Sequence, residues 1–211
     1  MQLITILTVA FLGSVIVYLV GKISGKARDV LATLVSLVVV ILTGLIYNQK
    51  IHTSFYPLPF LNLSLTLRVD NLSWFFAIVV AGIGFLSILF SLEYMKHYER
   101  LDYYYFMMLF VNAGMLGVVF SADFLSLYIF WEIMSWSTYL LISYKGGKAV
   151  AAGLKYIIMS TAGSIAMLFA IINLYTVYKT LEISSLASLL QDASSGYILF
   201  LLIMFLIGFG I

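Results

Sequence analysis

Long apolar runs separated by short polar turns set the pattern of this chain. Runs of the ~20 residues that a bilayer-crossing helix needs fall at 2–20, 30–47, 72–95, 104–122, 124–143 and 151–177. A seventh starts near Tyr197 and is still apolar at Ile211. It is short for a span and has no polar residue to mark a membrane boundary, which predicts a helix cut or split within its length. The pattern predicts an all-α polytopic membrane protein with about six complete transmembrane helices plus a truncated seventh. It also divides the chain into a two-span segment with an external loop (1–71) and a second part holding spans three to seven (72–211).

The turns sharpen this outline. Gly21–Asp29 is short and basic, with Lys22, Lys26 and Arg28. Asn48–Asn71 is the longest loop between early spans; it holds Pro57 and Pro59, then LNLSLTLRVD, whose alternation predicts a surface hairpin strand or extended segment. Asp70 and Asn71 read as the cap of the third span. Glu93, Lys96, His97, Glu99 and Arg100 form a charged exit turn at a solvated helix end, and Asp123 sits in a tight turn where capping is expected. Tyr103, Tyr104, Tyr105 and Phe106 read as an interfacial aromatic belt. Asn112 is placed to join two helices by a hydrogen bond. The segment Thr180–Ser195 is apolar on one helical side and is expected to lie on the membrane surface. The first twenty residues lack the basic start of a secretory signal and read as a retained span.

Composition agrees. The chain is 64% hydrophobic and 9% charged, with a mean hydropathy of +1.12, against roughly 25% charge in soluble domains. A net charge of +2 gives no reason to expect nucleic acid as a partner; the lipid bilayer is the expected surrounding. With no cysteine, disulfides, iron–sulfur clusters and thiolate metal sites are excluded within this chain. His52 and His97 are far apart near helix ends and read as interfacial polar residues, not as metal or haem ligands. No phosphate loop, nucleophile triad or metal cluster stands out, so no cofactor is expected in this chain. Seven Lys or Arg fall in turns after spans one, three and five, against Lys50, Arg68 and Lys179 on the other side. The positive-inside rule then predicts a multi-pass protein of the cell (plasma) membrane with its N-terminus outside.

Two charges fall inside spans. Glu132 lies between Trp131 and Trp136, eleven residues before Ser143, hence about 16 Å from that face of a ~30 Å core. A lone charge there costs at least ~2.5–3.5 kcal/mol, so it needs a partner, a water path or a role. Lys155 lies about 9 Å deep in the next, antiparallel span, with an axial offset from Glu132 of roughly 7 Å. A long side chain, a tilt or one or two waters can bridge that offset. Tyr128, Ser135 and Tyr139 stand at −4, +3 and +7 from Glu132 and share its side. On the sixth span Ala162, Ala166 and Ala170 form a small-residue row suited to close packing, and Ser160, Thr161 and Ser164 can hold water or satisfy carbonyls. Three readings stay open: Lys155 snorkels to the interface, the two residues form a structural ion pair, or they form a protonatable relay.

The segments ADFLSLYIFWEIMSWSTYLLISY and AAGLKYIIMSTAGSIAMLFAI resemble the antiporter-like subunits of respiratory complex I, of Mrp-type sodium/proton antiporters and of membrane-bound hydrogenase-type complexes. RVDNLSWFFA is similar to that family's V-D-x-L-S-x-F-F pattern, and the resemblance covers roughly residues 68–211. It implies that Glu132 and Lys155 belong to an ion-translocation path for H⁺ or Na⁺, with Glu132 as proton acceptor and Lys155 as its modulator. It also implies other membrane subunits of an NADH/ferredoxin-linked, hydrogenase-type or antiporter complex as partners, with no redox chemistry in this chain. Family members have about fourteen spans built from two inverted five-helix repeats, each with a broken helix. Here spans one to six and part of a seventh are present, and FLIGFGI is similar to the stretch before the family's seventh-span lysine. A neighbouring chain or segment is therefore expected to supply that lysine and the second repeat. The alternative is a non-transporting structural spacer derived from the same family.

Overall fold

The computed structural model describes residues 2–58, 63–191 and 193–211, except for the side chains of 55–58, 63 and 187. Pro59, Leu61 and Asn62 of the long loop lie outside the described residues. The elements are α1 (Gln2–Gly21), α2 (Gly25–Leu45), β1 (Ile51–Leu58), β2 (Leu63–Val69), α3 (Asn71–Tyr94), α4 (Leu101–Phe120), α5 (Phe124–Ile142), α6 (Lys148–Tyr178), α7 (Ile183–Leu189) and α8 (Ser195–Gly210). A 3₁₀ turn, Ser143–Lys145, extends α5. Helices α1 to α6 are each long and apolar enough to cross a membrane, whereas α8 is shorter at 16 residues. The protein is a multi-pass membrane protein.

Polar residues at the turns decide where several helices begin. The Asp70 carboxylate accepts the Ser73 N–H while the Ser73 hydroxyl accepts the Asp70 N–H, both at 2.8 Å, a reciprocal cap that starts α3. Asp123 starts α5 by a one-way cap, its carboxylate accepting the Ser126 N–H at 2.8 Å. Ser24 and Ser194 cap α2 and α8.

The expected extended loop is a true hairpin. β1 and β2 pair antiparallel from Ile51 opposite Val69 to Phe55 opposite Leu65, and the register shifts before Leu58, where Pro57 has no N–H to offer. Leu65, Leu67 and Val69 face inward at a period of two. The ladder does not stop at β2. Ala122 donates to the Thr66 carbonyl at 2.8 Å, Phe124 to Leu181 at 3.0 Å and Ile183 back to Ala122 at 3.0 Å. The α4–α5 turn thus lies as a strand between β2 and the segment before α7, and a hydrogen-bonded belt closes the end of the bundle opposite the basic turns.

Helices on both sides of residue 71 share one core, with Leu3 and Ile6 from α1, Val39 from α2, Ala77 and Ala81 from α3, Leu116 and Phe120 from α4, and Phe130 from α5. Lipid tails are as apolar as leucine, so packing distance decides helix association. Gly117 lies flush against the Phe130 ring, where a Cβ would overlap it. Asn112 donates to the Val80 carbonyl at 2.9 Å and so joins α4 to α3, as expected. Two expectations are corrected. Tyr105 is no belt residue: it is 1% exposed and packs with Val17, Ala32, Ile88 and Leu109. Arg28 is no free loop cation: it lies buried in the first turn of α2, paired with Asp29 at 2.7 Å and set over the Tyr105 ring.

Candidate functional site

The Asp123 cap fixes the phase of α5, and Glu132 follows nine residues on. Phe130 of α5 meets Gly117 of α4, Trp131 stacks edge-on with Phe209 of α8, and Tyr139 and Ser143 lie against Gly153 of α6. Glu132 is half-buried on the α6-facing side, with its Oε1 shut away from the surface and without a hydrogen-bond partner among the described residues. The contact between Ser143 and Gly153 sets the register of the two antiparallel helices. Glu132 is eleven residues before Ser143 and Ser164 eleven after Gly153, so at 1.5 Å per residue both lie about 16 Å from that contact, level with each other. Ser164 is 3% exposed, and its hydroxyl also lacks a hydrogen-bond partner among the described residues. Two unsatisfied buried oxygens at one height, in mid-span, mark the site.

The other expected residues sort by helix phase. Ser135 and Ser160 are buried, and Tyr128 and Tyr139 are half-buried. Tyr128 packs with the cluster shared by α6 and α8. Thr161 faces outward. Ser143 and Tyr197, not singled out beforehand, each carry a buried hydroxyl without a hydrogen-bond partner among the described residues. Their signal in the sequence was no more than a polar residue at a span end.

Lys155 is not brought to Glu132. It is exposed beside Leu154, Ile158 and Met159. The inward face of α6 is set by Gly153 and Ile157, and Lys155 stands two residues from each, roughly 200° round the helix. Among the described residues the ion pairs are Arg28–Asp29, His52–Glu182, Arg68–Asp70 and Lys96–Glu93. The small-residue row is also corrected. Ala170 is buried, but Ala162 faces outward with Lys155. The close crossing is made by Gly163 instead, whose added Cβ would stand 3.2 Å from the Gly208 carbonyl of α8.

Six helices of spanning length, one of them carrying a half-buried mid-span carboxylate, define a polytopic membrane protein with a protonatable group within a span. The family described as "NADH:quinone oxidoreductase/Mrp antiporter, TM" matches residues 121–211, and the one described as "NADH-Ubiquinone oxidoreductase (complex I), chain 5 N-terminus" matches residues 55–107. The Na(+)/H(+) antiporter subunit A1 of Staphylococcus aureus is 31% identical over 156 residues, covering 72% of this chain and 19% of the relative. A chain of the archaeal membrane-bound sulfane sulfur reductase superposes with a TM-score of 0.87 at 25% identity, over 100% of this chain and 34% of that one. A chain of the Mrp complex from Dietzia sp. DQ12-45-1b gives 0.88 at 22% identity, over 99% of this chain and 23% of that one. For respiratory complex I from Thermus thermophilus the score is 0.76 at 17% identity, over 97% and 43%. The chain belongs to the antiporter-like membrane subunit family of Mrp antiporters and complex I. It spans about a fifth of the length of the curated relatives it matches.

Proposed function

We propose that the chain is an ion-translocating part of a multi-subunit redox-driven or antiporter complex, with Glu132 as the mid-membrane proton acceptor. The observation that carries this is the buried, unpartnered Glu132 Oε1 level with the unpartnered Ser164 hydroxyl. A structural carboxylate at such a depth would be held by fixed donors, because an unsatisfied buried charge is costly. Glu132 has room in its bonding for a proton, a water or an ion. Ser135, Ser160, Tyr128 and Tyr139 line the same side and supply hydroxyls within the bundle.

Lys155 acts on Glu132 through field and not through contact. On the exposed face of α6 it meets a counter-charge from a neighbouring segment or subunit, and a change in that pairing alters how strongly Glu132 holds its proton. The basic turns lie on the cytoplasmic side of a cell membrane and the β hairpin outside, by the distribution of Lys and Arg. Other membrane subunits complete the path. The test is pumping of H⁺ or Na⁺ by the assembled complex with Glu132→Gln. Loss of pumping with assembly intact supports the proposal; unchanged pumping overturns it in favour of a non-transporting spacer.

A further inference from the structure

At the basic end of the bundle, the exit turn of α3 and the turn after α5 enclose a cleft of about 490 Å³ lined by Tyr98, Glu99, Arg100, Tyr144, Lys145 and Gly146. The two cations are held by aromatic rings. The Lys145 Nζ lies 4.3 Å over the Tyr98 ring and donates to its hydroxyl at 3.0 Å, while the Arg100 guanidinium lies 5.1 Å over the Tyr103 ring. The Tyr144 hydroxyl donates to the Glu99 carbonyl and ties the two turns together. Neither Arg100 nor Lys145 enters an ion pair among the described residues. Counting the Glu99 carboxylate, the lining carries one positive charge in excess, with Lys148 close in sequence and Lys96 paired with Glu93.

We propose that this cleft binds the phosphate headgroup of an anionic phospholipid. Ring contacts fix the two cations in place without neutralising them, so their attraction remains available to an anion and little side-chain freedom is lost on binding. The cleft opens where α4 begins and α5 ends, at headgroup depth, on the face that also carries Lys22 and Lys26. A basic pocket at that depth, with tyrosines at the interface, suits a phosphodiester whose tails run down the bundle surface. Glu132 has no part in this assignment, and the site stands whether or not the chain translocates ions.

The experiment is native mass spectrometry of the full chain released from phosphatidylcholine nanodiscs doped with phosphatidylglycerol. The wild type is expected to retain phosphatidylglycerol, and Arg100→Gln combined with Lys145→Gln to retain roughly 30-fold less, the loss that two headgroup-level cations imply. Lys26→Gln, an exposed lysine on the same face, is expected to leave retention unchanged. Arg100→Lys combined with Lys145→Arg keeps both charges and is expected to restore it. Equal retention by the double glutamine variant, an equal loss in Lys26→Gln, or failure of the charge-keeping pair to rescue overturns the proposal. Stripping of the lipid by excess inorganic phosphate also overturns it, by making the cleft a site for a free anion.

Discussion

The carboxylate of Asp123 accepts the backbone N–H of Thr66 at 2.5 Å, across 57 residues of chain. The same carboxylate takes the N–H and the hydroxyl of Ser126, and that hydroxyl oxygen accepts from Thr66 in turn at 3.0 Å. One side chain therefore starts α5, orients Glu132 nine residues on, and fastens the hairpin to the bundle. Asp123→Ala leaves the buried Ser126 N–H and hydroxyl without their acceptor, uncaps α5 and leaves the Thr66 N–H with the Ser126 hydroxyl alone. We expect a loss of about 2–3 kcal/mol, read as a lowered unfolding midpoint in detergent, with the Thr66 amide exchanging faster with solvent.

Glu132→Gln keeps the size and removes the charge. The fold is expected to hold, since Glu132 enters no hydrogen bond or ion pair among the described residues, and ion pumping by the assembled complex is expected to fall at least ~10-fold, as for loss of an essential proton-transfer group. Lys155→Ala is expected to leave folding unchanged because the side chain is exposed. It should shift the pH dependence of pumping, measured in proteoliposomes. A loss of assembly in both variants with normal transport per assembled complex points to the spacer reading.

The crossing of α6 and α8 depends on Gly163 and Gly208. A Cβ on Gly208 would stand 2.8 Å from the Met167 Cβ and 3.3 Å from the Gly163 carbonyl. Gly208→Val is expected to cost about 1–3 kcal/mol by overpacking and to spread the Trp131–Phe209 contact. The checks are thermal unfolding in detergent and the tryptophan emission maximum.

Asp70 lies outside the spans, and hydrogen bonds from the Ser73 backbone hold its carboxyl below the ordinary carboxylate value, with Arg68 adding to the effect. A lowered folded value means that its contribution is fully present above the ordinary carboxylate range and is lost as pH falls through the folded value. Asp70→Asn should flatten this acid limb, and Asp70→Ala should cost about 1 kcal/mol at neutral pH. Both are read from unfolding midpoints across acidic pH.

Spans were legible because apolar runs of membrane length have few alternatives, and helix boundaries moved by only a few residues, most at the N-terminal ends of α2, α4 and α6. Caps at Asp70 and Asp123 were legible because a carboxylate at a span entrance has a local use. The hairpin was half legible: alternation in LNLSLTLRVD marked β2, but nothing local showed that Ala122 and Ile183 would extend its ladder. Such pairing is set by where distant turns meet. At the site, helix arithmetic placed Glu132 midway along its span and grouped Tyr128, Ser135 and Tyr139 with it, while Ser160, Thr161 and Ser164 were marked only as residues able to hold water. It could not orient Lys155. Depth follows from residue count, whereas direction follows from which face of α6 packs, and that face was set by Gly153, Ile157 and Gly163, residues with little chemical signature of their own.

The belt formed by β2, the 121–123 turn and the 181–183 segment gives the bundle unequal ends. Backbone hydrogen bonds tie the entrances of α3, α5 and α7 to one another there. At the basic end, the turns between α3 and α4 and between α5 and α6 meet through side chains, Tyr144 to Glu99 and Lys145 to Tyr98. Glu132, nine residues from Asp123 and eleven from Ser143, therefore lies on a helix held by backbone bonds at one end and by side-chain contacts at the other.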